Sequence, residues 1–251
     1  MKKSVLALSM TGMLLSSAIQ ADTILGIYAG ADAWRTAGDG HFGQTEQVQK
    51  FNFKDKTQGS YYLALEHPIP VLPNIRIQHT PLKANGETTL STDLSLDGQI
   101  FPAGTMINNQ VDLTSTDYIL YYEILDNGLV SIDLGINAKN IKGDVYVEDI
   151  NTGFAQRQNG SEFIPLIYAS TIVGLPLTGL EFFANGNYVS YDGNRVYDAQ
   201  AGVAYALLDN IAVDLRLKAG YRAFNLTLDD VDNLYTDLDF TGAFLGVELH
   251  F

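Results

Sequence analysis

The C-terminal segment, residues 238–251, shows an alternation of side chains that constrains the fold more than any other feature of the sequence. Counting back from the last residue in steps of two gives an apolar series, whereas the other parity is mostly polar or small. The apolar series is Phe251, Leu249, Val247, Leu245 and Ala243. A period of two predicts a β-strand with one apolar face. Because the series ends on an aromatic residue, it favours a strand whose outer face meets lipid.

The same alternation recurs in nine earlier segments, so ten strands are predicted. They are residues 24–35, 59–67, 75–83, 116–125, 129–139, 162–173, 180–190, 195–207, 211–222 and 238–251. The connections after the second, fourth, sixth and eighth strands are short. Long polar connections, predicted to be loops, are residues 36–58, 84–115, 140–161 and 223–237. This arrangement predicts an all-β fold, a closed antiparallel transmembrane β-barrel with short periplasmic turns and longer extracellular loops. About ten strands are expected, and eight remain possible.

Residues 1–21 have the three-part layout of a secretory signal peptide. Lys2 and Lys3 precede an apolar run from Val5 to Leu15, and small residues lead to a predicted cleavage after Ala21. A run of about eleven residues is too short to cross a bilayer as a helix, which takes roughly 20 residues. We therefore expect a cleaved signal peptide followed by one barrel domain, residues 22–251.

The chain is acidic, with 29 Asp and Glu residues against 15 Lys and Arg residues and a formal net charge of −14. Removal of residues 1–21 takes away two lysines and no acid, so the mature charge is expected to be −16. Such a charge repels nucleic acid, and no nucleic-acid partner is expected. The chain has no cysteine, which excludes disulfides and thiolate metal sites.

Alternation alone does not say which face points outward, since a soluble β-sandwich or a lipocalin has the same period. Lipid on the apolar face is favoured by charges of both signs on the polar parity and by tyrosines near strand ends on the apolar parity. Those tyrosines are Tyr61, Tyr118, Tyr188, Tyr205 and Tyr221. The inward charges are Asp32, Glu66, Arg76, Glu123, Asp133, Lys139, Asp214, Arg216, Lys218, Arg222 and Glu248. We expect them to form a lumen charge network that either neutralises itself as a plug or lines a narrow polar conduit.

The signal peptide, the alternating segments of about ten residues and the terminal series resemble those of bacterial outer-membrane β-barrel proteins. The series is Leu245, Val247, Leu249 and Phe251. In those proteins a last strand ending in Phe is the signal read by the barrel-assembly machinery. The turns Leu125 to Gly128 and Leu175 to Gly179 further resemble those of small proteobacterial outer-membrane barrels of unassigned function. The resemblance implies the outer membrane of a Gram-negative cell, with membrane lipid, lipopolysaccharide and the assembly machinery as partners, and it implies no activity.

No catalytic, cofactor or metal site is predicted. The histidines are His41, His67, His79 and His250. They show no ligand spacing, and no hydrolase motif is present. The acidic segment 229–237 lacks the glycine and the final glutamate of a calcium loop.

The function stays open between classes. The first interpretation is a monomeric integral outer-membrane protein with a structural, small-solute pore or surface-binding role. One alternative is an outer-membrane hydrolase of the protease or lipid A deacylase type, for which only His41 and His79 are expected near the outer rim. The other is a soluble periplasmic β-barrel binding protein.

Overall fold

A computed structural model describes residues 25–44, 48–210, 213–231 and 234–251, which contain fifteen β-strands. The predicted signal peptide lies outside the described residues. The strands are β1 (Gly26–Gly43), β2 (Gln49–Asn52), β3 (Lys56–Glu66), β4 (Asn74–Thr80), β5 (Lys83–Thr89), β6 (Leu94–Leu96), β7 (Gln99–Phe101), β8 (Met106–Asp112), β9 (Ser115–Asp126), β10 (Val130–Asp149), β11 (Ala155–Leu175), β12 (Leu180–Tyr191), β13 (Asn194–Asp209), β14 (Asp214–Val231) and β15 (Leu234–His250). In this part of the chain no helix is long and apolar enough to cross a membrane.

Ten of these strands close into one antiparallel barrel. Its order around the ring is β1, β3, β4 and then β9 to β15, with β15 paired to β1 and β10 paired to β11. The predicted all-β closed barrel and its count of ten are therefore confirmed. Following paired residues once around the ring from Ile27 leads to Asp39, twelve residues further along β1. A shear of twelve over ten strands corresponds to a strand tilt of about 40°.

The four segments predicted as long loops are largely β-structure, so that prediction was wrong. β1, β10, β11, β14 and β15 continue well past the ends of β3, β4 and β9. Beyond those ends, β2 pairs with β1, β8 pairs with β10 and with β5, and the Lys54 amide donates to the Asn85 carbonyl at 2.9 Å. We call this part, together with the β6–β7 hairpin, the extension. It lies at the end of the barrel opposite the short turns, the start of β1 and the end of β15.

The loops were mispredicted because the two faces of the strands exchange polarity on entering the extension. On the outer face of β10, Leu134 and Ile136 give way to Lys142, while on its inner face Lys139 is followed by Val145 and Val147. The period of two continues across the exchange. Because the prediction required an apolar outer face, each predicted strand ended where the polarity of its two faces reverses.

The outer face of the barrel below the extension is apolar. Leu245, Ile167 and Ile136 have 68%, 67% and 65% of their surface exposed. All five tyrosines of the apolar parity are exposed as well. At the same levels the inner face carries the charged side chains described next.

Candidate functional site in the barrel lumen

The inside of the barrel divides into three stacked layers of different chemistry, of which two are filled by side chains and the third contains a cavity. We call them the cap core, the ion-pair layer and the vestibule, in order from the extension to the short turns.

The cap core is an apolar cluster that occupies the extension and reaches into the ring at Trp34, which pairs with Gln58 of β3. Its most buried members, all 1% exposed or less, are Trp34, Phe51, Leu94, Leu96, Phe101, Ile107, Val147 and Phe240. Three of these side chains come from the β6–β7 hairpin, which packs against β1 and β11. The hairpin reverses at Asp97 and Gly98, whose φ angles of 48° and 73° suit a two-residue turn between twisted strands. The hairpin thus fills the lumen at the extension end with apolar side chains.

The ion-pair layer lies directly beneath the cap core. Asp198 accepts two hydrogen bonds of 2.8 Å from Arg222, and the Lys139 ammonium lies 3.2 Å from Asp198 and 2.9 Å from Asp117. All four side chains are buried, and their two positive and two negative charges balance. The Arg222 guanidinium also lies 4.9 Å from the centre of the Trp34 ring, so this layer contacts the cap core.

The strands that carry this layer explain its geometry. Asp117 and Lys139 are direct partners on β9 and β10, whereas β13, which carries Asp198, is not adjacent to β10. The Lys139–Asp198 contact therefore crosses the lumen. Asp117 and Asp198 are absent from the eleven predicted network residues, although both lie on the inward parity of their strands.

A second group of charges is centred on Glu248. Its carboxylate accepts a hydrogen bond from the Tyr62 hydroxyl and lies 3.3 Å from Lys218 and 3.4 Å from Arg216. Arg216 is also 3.5 Å from Glu181. These contacts bring three of the predicted network residues together.

The other predicted network residues have different surroundings. Asp32 accepts a hydrogen bond from Ser60 at 3.4 Å. Asp214 contacts His250 at 3.2 Å at the end of the barrel that carries the short turns, which we call the turn end. Arg76 stacks on Tyr62, 3.6 Å from the ring centre. Glu66, Glu123 and Asp133 lie together at the turn end of the lumen, apart from Arg222 and Lys139.

The vestibule is a cavity of about 270 Å³ at this turn end. It is lined by four tyrosines and by both acidic and basic side chains, among them Glu66, Arg76, Glu123 and Asp133. A second cavity of about 400 Å³ shares Leu129, Glu181 and Arg216 with it and reaches the turn formed by residues 176–179. The vestibule is therefore the part of the lumen that is reached from the side of the short turns.

The predicted assembly-signal residues line one outward face of β15. Leu245, Val247 and Phe251 are exposed, and Leu249 is half-buried. The backbone of Phe251 exchanges two hydrogen bonds with Ile27, at 3.0 and 3.2 Å. These bonds join the last residue to the first strand of the ring.

The histidines form no catalytic or metal constellation within the described residues. His250 alone among them has a carboxylate within 4.0 Å, that of Asp214, and it lies at the turn end. His79 contacts Thr116 at 3.0 Å, and His67 contacts the Pro73 carbonyl at 3.2 Å. No group of three or more His, Asp or Glu side chains in the described ranges could hold a metal ion.

The outer surface of the extension carries exposed ion pairs, including Lys54–Glu87 at 2.9 Å and Lys83–Asp112 at 2.9 Å. Burial raises the pKa of Asp112, but hydrogen bonds from Thr114 and Lys83 outweigh it, so its pKa lies below the ordinary value. This surface has the polarity of a water-exposed protein face.

Comparison with known proteins identifies no family. No protein-family model matches the sequence, and no curated protein sequence matches it. Among solved structures, the chain is similar to the outer membrane protease OmpT from Escherichia coli, with 11% identity over 90% of this chain and 96% of that chain and a TM-score of 0.48. It is also similar to Ail, the attachment invasion locus protein of Yersinia pestis, with 12% identity over 90% and 99% of the two chains and a TM-score of 0.40. For the transport unit of the autotransporter AIDA-I from Escherichia coli, identity is 9% over 94% and 93% of the chains, with a TM-score of 0.40.

Proposed function

We propose that this chain is an integral outer-membrane protein of a Gram-negative cell whose barrel is closed to solutes and whose role is structural or surface-binding. The observation that carries the proposal is the filling of the lumen by the cap core and the ion-pair layer. The proposal includes export directed by residues 1–21, which act as a cleaved signal peptide. It also includes membrane lipid and lipopolysaccharide as the molecules that surround the barrel.

The exposed apolar face of the barrel supports a membrane location. A soluble barrel would turn this face inward, yet at these levels the inward side chains include Lys139, Asp198 and Arg222. Exposed apolar surface on this scale is rare on soluble monomers, whereas in hydrocarbon it has a matching solvent. The alternative of a soluble periplasmic binding protein would leave this surface in water.

Two consecutive layers oppose passage of a solute. The cap core consists of apolar side chains and offers few polar atoms to a hydrated ion, so an ion entering it would lose most of its water without compensation. Beneath it, the Lys139–Asp198 contact joins β10 and β13, two strands of the ring that are not neighbours. The pore interpretation would require both layers to open, so we favour the plug.

The hydrolase interpretation gains no support from the outer rim. Within the described residues, neither His41 nor His79 has a carboxylate within 4.0 Å. A general base needs an orienting partner as well as a nucleophile within hydrogen-bonding reach, and His79, which contacts the Thr116 hydroxyl at 3.0 Å, has no carboxylate to orient it among the described residues. We therefore do not extend the proposal to catalysis.

Purified protein in planar lipid bilayers is expected to give no stepwise conductance. The reason is that both layers close the lumen in the folded barrel. A porin added to the same bilayers provides the positive control, and a heat-modifiable gel band shows that the tested protein is folded. Reproducible unitary current steps from the folded protein would overturn the closed-lumen proposal.

Deletion of Phe251 is expected to lower the amount of folded barrel in the outer membrane several-fold while export continues. The deletion removes the aromatic side chain and the two hydrogen bonds that join the last residue to Ile27. The measurement is the heat-modifiable band in fractionated membranes, with Phe251→Tyr as the control that keeps an aromatic end. Normal levels of folded barrel after the deletion would contradict the proposed assembly signal.

A further inference from the structure

The vestibule carries more negative charge than its own ion pairs balance. Its ionisable lining comprises the carboxylates Glu66, Glu123, Asp126, Asp133, Glu181 and Glu248 and the guanidinium groups Arg76 and Arg216. Arg216 pairs with Glu181 and Glu248. Within the described residues, no basic nitrogen lies within 4.0 Å of the Glu66, Glu123 or Asp133 carboxylates.

One of these carboxylates, that of Asp133, has an oxygen atom that lacks a hydrogen-bond donor. Asp133 is only 9% exposed, lies opposite Glu123 in the β9–β10 register, and has a buried Oδ1 atom without a hydrogen-bond donor. Burying a carboxylate oxygen without a donor is costly, and buried polar atoms in proteins nearly always find one. A cationic donor inside the vestibule would supply it.

The tyrosines of the vestibule indicate the kind of cation. The face of Tyr62 is covered by Arg76 at 3.6 Å, so this lining already binds one organic cation by a cation–π contact. The rings of Tyr121 and Tyr168, whose centroids are 5.8 Å apart, also line the cavity. Carboxylates combined with aromatic faces suit an alkylammonium group, which offers both a charge and an apolar chain.

A metal ion fits this lining less well. Within the described part of the chain, no cluster of three potential ligands has the geometry to hold one. The volume of about 270 Å³ lies just below the range typical of drug-sized ligands, which agrees with a small molecule.

We propose that the vestibule is a binding site for a small alkylammonium compound entering from the side of the short turns. Glu123 and Asp133 hold the ammonium group, and Tyr121 and Tyr168 contact its alkyl chain. The site lies below the ion-pair layer, so the ligand needs no path through the lumen, and the inference goes beyond the proposed function.

The test is titration calorimetry of the folded mature protein in detergent at low ionic strength, with putrescine as the probe. We expect saturable binding that becomes at least tenfold weaker in Asp133→Asn and in Glu123→Gln. Glu162→Gln is the matched control, because Glu162 is exposed on the extension and has no basic nitrogen within 4.0 Å in the described residues. Its affinity for putrescine is expected to equal that of the unmodified protein. Heat modifiability of each variant shows that it has folded.

Absence of saturable binding to the folded protein would overturn the inference, as would an unchanged affinity in Asp133→Asn. Displacement of putrescine by equimolar magnesium would show a site for charge alone and would overturn it as well. Unitary conductance with putrescine binding intact would contradict the closed lumen and leave the vestibule site standing.

Discussion

Replacing Lys139 with methionine is expected to lower the free energy of unfolding by about 3–5 kcal/mol. The ammonium is fully buried and compensates Asp117 at 2.9 Å and Asp198 at 3.2 Å. Methionine keeps much of the side-chain volume but leaves the buried Asp117 carboxylate without its counter-charge, which is the costly way to break a buried ion pair. The measurement is urea unfolding of the protein refolded in lipid vesicles, followed by the fluorescence of Trp34, the only tryptophan.

The extension offers a matched control for this substitution. Lys54 and Glu87 form an ion pair at the same distance, 2.9 Å, but their side chains are 63% and 58% exposed. Lys54→Met is therefore expected to change stability by at most about 1 kcal/mol. The double variant Lys139→Met with Asp117→Leu should be less destabilised than Lys139→Met alone, because it removes both buried charges of one pair. Equal effects of Lys139→Met and Lys54→Met would mean that water solvates the lumen charges, as in an open conduit.

The barrel could be predicted from the sequence because its signal is local. Within each ring strand, the alternation of apolar and polar residues is enough to distinguish the two faces. Ten such segments predict the fold class without knowledge of which strands are neighbours. The extension escaped prediction because its strands carry the same period with the opposite polarity. The β6–β7 hairpin escaped because each of its strands has only three residues, although Asp97 and Gly98 are a recognised hairpin signal.

The contacts within the lumen depend on information that a single strand does not hold. Parity places Lys139 and Asp198 inside, but whether they meet depends on their heights along the barrel axis. Those heights follow from the shear of twelve, which is a property of the whole ring. The predicted network accordingly contained Arg222 without Asp198, the carboxylate that pairs with it in the structure.

Replacing Ile136 with lysine is expected to lower the free energy of unfolding in lipid vesicles by about 2–4 kcal/mol. Ile136 is 65% exposed on the outer face of β10. The apolar outward stretch of β10 runs from Val130 to the first polar outward residue, Asn140. At the tilt given above these ten steps rise about 25 Å, the height of the apolar band of a membrane barrel. Ile136 lies near the middle of that rise, so a lysine there must carry its charge into hydrocarbon.

Asn140→Lys is the matched control on the same face of the same strand. At the edge of the band the added ammonium reaches water, and the expected cost is about 0–1 kcal/mol. The difference between the two variants measures where the hydrocarbon ends, because both add the same side chain to the outer face of β10. If Ile136→Lys cost only the ~0–1 kcal/mol expected of Asn140→Lys, the apolar face would not be in contact with lipid and the outer-membrane proposal would fall. A large cost at both positions would instead place the edge of the band above Asn140, inside the extension, where the outer face of β10 already carries Lys142.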